Sequence, residues 1–551
     1  MPGPLPLPSR RSRRRLGAVL AASVALLAGF LAEPATSAAA RPTPPAFSPA
    51  TAVAGETLTV ASRLPGGRSR IGVLQERTGT GGWRALDRAR SDAAGRVRFR
   101  MRAHDAVLRV LAPAGGGLTS SVSRPVAYAP RVPQGVLVSH LPTGEAPSRG
   151  AASPSISADG RYVAFTSGAD DLVTGDGNGL DDAFLYDRAD GSIEQISNNG
   201  VIGSADGRSA ALAISADGSF VVFRSAATNL VPGDSNGRED VFVWERDPAG
   251  GGAVVLVSAT PSGAPGDDAS SEADISPDGR YVAFSSIADD LVAGVSDTNA
   301  RTDVFLRDLQ TGRTRLVSRR PGKGPGNDSS FAPSVSRNGA RVAYTTAATD
   351  LVRGARASGR VQVLWWERRN GSQHLVSGRR GRVGDESSSY PSIDDAGRRV
   401  AFATEASDLV PGTRIRPGQT NVVLATLGRR ATTSIRLVSG ASGRGYGGFY
   451  PVLDPTGRYV AFTTASRSRA LPGPHTSGGN ETYVRRLDTG LVSRISLTPA
   501  GFEADGDSAA LGLSSGARYV AVETYASDLT RSTDTNANSD VVLVDRRAKR
   551  P

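Results

Sequence analysis

The chain contains no cysteine. That excludes disulfides, thiol nucleophiles, a lipid-bearing cysteine anchor and cysteine-ligated zinc or iron–sulfur sites. Histidine is nearly as scarce: His104, His140, His374 and His475 are all there are, and they sit on separate segments. None has a metal-ligand spacing to another. There is no H-E-x-x-H and no phosphate-cradling glycine loop. Lysine occurs only at Lys323 and Lys549. A single run, Leu16–Ala32, is apolar enough to approach a membrane span.

That run reads as an export signal over residues 1–40. Arg10, Arg11, Arg13, Arg14 and Arg15 precede it, and Ala38-Ala39-Ala40 offers small residues for cleavage. Ser12-Arg13-Arg14-Arg15-Leu16 loosely resembles a twin-arginine signal; a general secretion signal and an uncleaved anchor are the other readings. The expected address is secreted or cell-envelope, with no integral span after cleavage. The formal charge is +12. Removing residues 1–40 takes away five Arg and one Glu and leaves 60 − 52 = +8. Arginine in place of lysine, with abundant Ala and Gly, fits the codon bias of a high-GC bacterium. Nucleic acid is not expected as a partner; an anionic envelope polymer suits an exported basic surface better.

One pattern recurs seven times. Its first copy is SISADGRYVAFTS, Ser155–Ser167. The turn glycine or its equivalent falls at Gly160, Gly218, Gly279, Gly339, Gly397, Gly457 and Ala517, at intervals of 58, 61, 60, 58, 60 and 60. Such a period marks a propeller, solenoid or array. Each unit holds four short apolar runs, which we letter a to d. In the first unit Asp159-Gly160 separates a from b, and Asp190-Gly191 separates c from d. Asp-Gly between such runs is a hairpin signal, because glycine takes positive φ without steric cost. Four antiparallel strands make a propeller blade. The last unit stops after Val541-Val542-Leu543-Val544, while a lone d-type run, Val136-Leu137-Val138-Ser139, precedes the first. This predicts a seven-bladed β-propeller whose N-terminal strand completes the last blade and removes the open edges.

The repeats resemble the TolB-like β-propeller, a relative of the WD40 architecture. Ile275-Ser276-Pro277-Asp278-Gly279 and Ala283-Phe284 carry the likeness best. It spans about residues 134–547 and implies a fold rather than an activity. TolB itself has an α/β domain ahead of its propeller. Here residues 41–130 show alternating runs instead: Thr57–Val60, Ile71–Leu74, Val97–Arg100, Val107–Val110 and Pro125–Tyr128. They resemble an Ig-like β-sandwich, with Trp83 a core candidate. Arg41–Pro49 reads as an extended proline-rich leader, and Ala129–Pro133 as a stiff linker.

Loops on a rigid scaffold carry function, and the long b–c and d–a connections fall on one face. Four b–c loops share Asp-x-Asn-x-x-x-Asp: Asp176, Asn178 and Asp182; Asp234, Asn236 and Asp240; Asp297, Asn299 and Asp303; Asp534, Asn536 and Asp540. Clustered carboxylate and amide oxygens suit calcium, though the Gly and Glu that complete an EF-hand loop are missing. The competing reading is Asx turns. The last position persists as Asn421 and Glu481 where the motif decays, which predicts a role in strand entry. A second motif, Asx-Leu, recurs at Asp171, Asn229, Asp290, Asp350, Asp408 and Asp528, and predicts capping and packing. Trp365 and Trp366 point to opposite faces of one c strand and are expected in the core, with a sugar platform as the alternative. The function expected is non-catalytic binding of a protein or envelope glycan by a monomer. The alternative is a secreted hydrolase or lyase on polysaccharide or peptide, with acids from several blades.

Overall fold

A computed structural model describes residues 41–548 apart from 49–56, 66–68, 78–81, 103–105, 115–117, 129–131, 199–202, 296–298, 322–323, 353–358, 380, 430, 442, 466–470, 473–477, 533 and 535. The export signal, most of the linker, Asp297, His104 and His475 lie outside the described residues.

The alternating runs around the Asp-Gly turns form strands, and the strands form four-stranded antiparallel sheets. Sheet 1 comprises Ala151–Ile156, Tyr162–Ser167, Asp182–Asp187 and Ser192–Gln195, in that order. Sheets 2 to 6 repeat this order, beginning at Ser209, Ser270, Ser330, Ser388 and Phe449. Sheet 7 takes strands a to c from Ser508–Leu513, Tyr519–Thr524 and Asp540–Asp545, and its fourth strand is Gln134–Leu137. Val542 pairs with Leu137 and Asp545 with Gln134, so a strand ahead of sheet 1 completes the last sheet. No sheet among the described residues closes on itself. Repeated open four-stranded sheets of this kind fit a β-propeller.

One joint holds neighbouring sheets together, and it explains the repeating glycine. Gly218 has φ +74°, and a Cβ there would lie 2.2 Å from the ring of Tyr162 in the preceding sheet. Gly279 meets Phe220 in the same way, and Gly160 meets Tyr519. That last contact joins the first sheet to the last. An arginine lies over several of these rings and also donates to the turn glycine: Arg246 lies 4.6 Å over Tyr162 and bonds Gly218 O at 3.2 Å, and Arg188 lies 4.4 Å over Tyr519 and bonds Gly160 O at 2.8 Å. Where arginine replaces the ring, it bonds the turn too: Arg341 Nη1 donates to Gly397 O at 2.6 Å, and Arg399 to Gly457 O. Ala517 stands where the glycine should be and takes φ 48° itself.

Every a strand carries a β-bulge. All seven a strands line one cavity of about 470 Å³. At its a–b turn end the backbones link sheet to sheet: Ser515 N–H to Ala158 O, Ala158 to Ala216, Ala216 to Pro277, Arg337 to Asp395, and Asp395 to Pro455. The chain of bonds breaks where Pro277 and Pro455 have no N–H to give. At the second break Gly516 N–H reaches Asp454 Oδ2 at 3.1 Å.

The segment before the repeats forms two sheets on one core. Ala46–Ser48, Thr57–Arg63 and Arg96–Arg102 make the first; Arg84–Arg90, Ile71–Arg77, Ala106–Ala112, Ser121–Val122 and Val126–Tyr128 make the second. Leu58, Val60, Leu74, Val97, Phe99, Leu108 and Val110 pack between them. Three expectations change here. Ala46–Ser48 is a paired strand rather than extended leader, because Ala46 and Phe47 lie against Ala61 and Val60. Arg84–Arg90 is a strand despite its three arginines, since it pairs beside Ile71–Arg77 with most of its side chains outward. Trp83 is half-buried under Arg109, 4.0 Å away, and lies outside the core cluster. Trp365 and Trp366 are both buried, each in a different inter-sheet core, as expected.

The joint makes a measurable claim. Gly218→Ala places a Cβ in the left-handed region and against Tyr162. Strain of ~1–2 kcal/mol and overpacking of ~1–3 kcal/mol should both lower its melting temperature. Gly191→Ala, at φ 78° with nothing within 4 Å, should show only the first. Equal thermal shifts in the two variants would remove the joint as the reason for the glycine.

Candidate functional site

The serine that ends each d-type run is buried, and it donates to the side chain that opens strand c. Ser197 Oγ bonds Asp182 at 2.6 Å, Ser258 bonds Asp240 at 2.5 Å, and Ser139 bonds Asp540 at 2.9 Å. Ser318 bonds Asp303, and Ser377 bonds Gln362 at 2.8 Å. Ser439 reaches Asn421 at 3.5 Å, and Ser496 bonds Glu481. The same hydroxyls accept from the next backbone N–H, as from Ala183 at 3.0 Å and Val363 at 2.9 Å. The expected role of this position in strand entry is therefore real, and it extends to Gln362. In sheet 6 the longer Glu481 also pairs with the buried Arg494, which Glu503 flanks at 3.1 Å.

The Asp-x-Asn loops feed into this bond. Asn178 Nδ2 donates to Asp182 Oδ2 at 2.7 Å and to Ala205 O at 3.0 Å, while its Oδ1 accepts the Leu180 N–H at 2.8 Å. Asn236 makes the same set with Asp240, Gly266 and Arg238, and Asn299 with Asp303, Gly326 and Arg301. Asn536 bonds Pro147 O at 2.9 Å and accepts from Asn538. Each asparagine thus staples its loop to the loop that leads into the following sheet. Asp176 accepts from Ser204 at 3.3 Å, Asp234 is buried, and Asp534 accepts the Asn536 N–H at 3.2 Å. The asparagine oxygens are held by loop N–H groups, so an entering cation would have to displace them. Among the described residues no three or more Asp, Glu, His or Cys gather as a metal site. The Asx-Leu residues cap backbone as expected: Asp290 accepts from Asp267 N–H at 3.2 Å and Asp408 from Asp385 N–H at 3.1 Å. Their leucines are buried.

Sequence reasoning missed the residues at the mouth of the central cavity. Tyr390 (φ 52°) and Tyr450 (φ 50°) sit in the bulges of two neighbouring a strands. Left-handed backbone is a true outlier for bulky residues and is held only where the surroundings impose it. Both rings are open to solvent, at 52% and 46% exposure. They meet edge to face at 6.4 Å, and Phe449 joins Tyr450 at 5.1 Å. Register places them toward the d–a loop end of the cavity. The signal was present: Tyr390-Pro391 and Tyr450-Pro451 align with Ser153-Pro154 and Ala332-Pro333, which share the positive φ.

The cavity offers little for acid–base chemistry. Asp274 and Asp395 are the acids among its lining residues. Asp274 accepts from Ile275 N–H at 2.9 Å and Val335 N–H at 2.7 Å, which ties sheet 3 to sheet 4. Asp395 pairs with Arg337 at 3.1 Å. His140 contacts Leu141 O and Tyr186, and His374 stacks on Trp365 at 4.1 Å, both away from the mouth.

Burial pushes Asp182, Asp240, Asp274 and Asp540 up to about 6. The folded protein then holds protons that the unfolded chain releases near pH ~4. Stability from these groups is full below that value and lost as pH rises through about 6. Asp187, Asp206 and Asp308, held low by their bonds to Arg161, Thr228 and Arg280, act in the opposite sense only below pH ~4. The melting temperature should therefore rise as pH falls from 7.5 to 5. Asp240→Asn should flatten part of that rise and still fold, since Asn421 occupies the equivalent place. A melting temperature that falls over this range would refute the assignment.

No protein-family model and no curated protein matches the chain. Among solved structures it is similar to the RRP9 WD40 repeats, at 12% identity and a TM-score of 0.37, over 72% of this chain and 94% of that one. It is also similar to a putative exo-beta-1,3-galactanase from Bifidobacterium bifidum, at 11% identity and a TM-score of 0.25, over 56% and 98%. Likenesses this slight carry no weight beside the chain's own repeated sheets.

Proposed function

We propose that the chain is an exported, non-catalytic binding protein that takes a glycan at the loop-rich mouth of a seven-bladed propeller. In this reading residues 134–547 form a TolB-like ring, closed where Gln134–Leu137 joins Asp540–Asp545. Residues 41–130 form an Ig-like spacer, and residues 1–40 direct export to the cell surface or beyond. The observation that carries the reading is the exposed Tyr390–Tyr450 pair on left-handed backbone, with the half-buried Phe449 against Tyr450. Aromatic rings with a polar tip, half in water, suit the mixed apolar and hydroxyl faces of a sugar. A hydrolase would need free carboxylates converging on the cavity, and Asp274 and Asp395 are spent on bonds between sheets.

Affinity electrophoresis through gels holding neutral polysaccharides tests this directly. At least one polymer should retard the native chain, and Tyr390→Ala and Tyr450→Ala should each release it, with melting temperatures within a few degrees. Retardation that survives the double variant would place the site elsewhere. In the same reading the Asp-x-Asn loops are Asx staples. Millimolar calcium should leave the melting temperature of metal-stripped protein unchanged. A rise that disappears in Asp176→Ala with Asp234→Ala would instead make these loops calcium sites.

A further inference from the structure

The positive charge of the repeat region is gathered in one sector. Residues 309–384 carry 15 Lys and Arg against three acids, Asp328, Asp350 and Glu367. The rest of residues 134–547 carries 28 against 44. Compositional bias toward arginine would spread evenly over the repeats; within them this excess does not.

The structure gives that sector a shape. A cleft of about 1020 Å³ opens between sheets 3 and 4, and no Asp or Glu lines it. Six arginines do: Arg313 and Arg315 from strand d of sheet 3, Arg319 and Arg320 from the loop after it, and Arg368 and Arg369 from the c–d turn of sheet 4. Arg320 pairs with Asp350 at 3.5 Å, and Arg368 lies 4.7 Å over the Tyr281 ring. Arg313, Arg315 and Arg369 are exposed and form no ion pair among the described residues. Pairing register puts Arg315 where sheet 1 has Glu194 and sheet 2 has Val255. The fold therefore does not require arginine there.

We propose that this cleft binds a linear, carboxylate-bearing polysaccharide, at a site separate from the aromatic mouth. Arg315 Nη1 donates to Arg368 O at 3.4 Å, and none of the three guanidinium groups meets a carboxylate among the described residues. Guanidinium forks match carboxylates in two-point hydrogen bonds, and three forks without a carboxylate along one cleft call for a ligand that repeats its charge. The cleft is concave, which suits a single chain and not a flat bilayer. No exposed large aromatic lines it, so unstacked bases would find no platform. Between the arginines the wall is aliphatic, with Val292, Val295 and Val352, which suits the C–H faces of sugar rings.

The test measures binding of polygalacturonate to the full chain by titration calorimetry at low and moderate salt. The native protein should bind, more weakly as salt rises. Arg313→Ser/Arg315→Ser/Arg369→Ser should lose at least tenfold in affinity. Arg88→Ser/Arg98→Ser/Arg100→Ser, which removes the same charge from exposed positions on the N-terminal sheets, should stay within twofold. If the first triple variant does not fold, Arg369→Ser alone, on an exposed turn, should still weaken binding. Absence of binding at low salt, or equal loss in both triples, would overturn the proposal. Equal or tighter binding of polyglutamate, duplex DNA or anionic vesicles would overturn the ligand class. Tyr390→Ala should leave polygalacturonate binding intact, so the two sites stand or fall apart.

Discussion

Each repeat hangs its longest loop on one buried hydrogen bond. The serine at the end of strand d gives its proton to the side chain that opens strand c, and takes one from the next backbone N–H. Both partners are shut away from water, so solvent cannot replace the bond. An unmade bond there would cost the full desolvation of a polar group, of order ~1–3 kcal/mol. The arrangement accepts Asp, Gln, Asn or Glu, because each offers an acceptor at the right reach. It does not accept the loss of the hydroxyl, and serine stands in all seven places. The Asp-x-Asn loops and the Asx-Leu caps are built outward from this point. In the first three of these loops the asparagine bonds both the strand-opening aspartate and the backbone of the next loop, which accounts for those acids without a ligand.

Between sheets the constraint is steric rather than polar. A turn glycine leaves the space that an aromatic ring or an arginine stem fills, and the same element at Gly160 and Tyr519 joins first to last. Joining the ends this way, together with Gln134–Leu137 on sheet 7, packs the first sheet against the last as the others pack together. It also makes stability a property of the whole set, since every sheet is wedged on both sides.

Much of this was legible. The period near 60 residues, the Asp-Gly turns and the orphan strand at Val136 follow from φ preference and alternation, which are local. Persistence of Asn421 and Glu481 correctly marked strand entry, but its serine partner lies 15 to 18 residues away and only pairing register brings it near. Tyr390 and Tyr450 escaped because a bulge depends on an extra residue against a partner strand, which alternation read on one strand does not show; only the aligned X-Pro pairs marked the place. Arg84–Arg90 does not show as a strand in the sequence for a related reason. Its register against Ile71–Arg77 stabilises it, while its own side chains face outward.

The positions that escape the repeat are therefore the informative ones. Where six or seven copies agree, packing and capping account for the residue, whether it is Ser258, Leu230 or Gly218. Where one or two copies depart at a place the fold leaves free, packing offers no account. Tyr390 and Tyr450 depart by putting large rings on unfavourable backbone at an open mouth. Arg313, Arg315 and Arg369 depart by crowding like charges in an acid-free cleft. Both departures cost stability in the free protein, through backbone strain in one case and self-repulsion in the other. A scaffold that tolerates such costs at two exposed places, while repeating one buried serine bond in all seven sheets, supports reading those places as the binding sites proposed above.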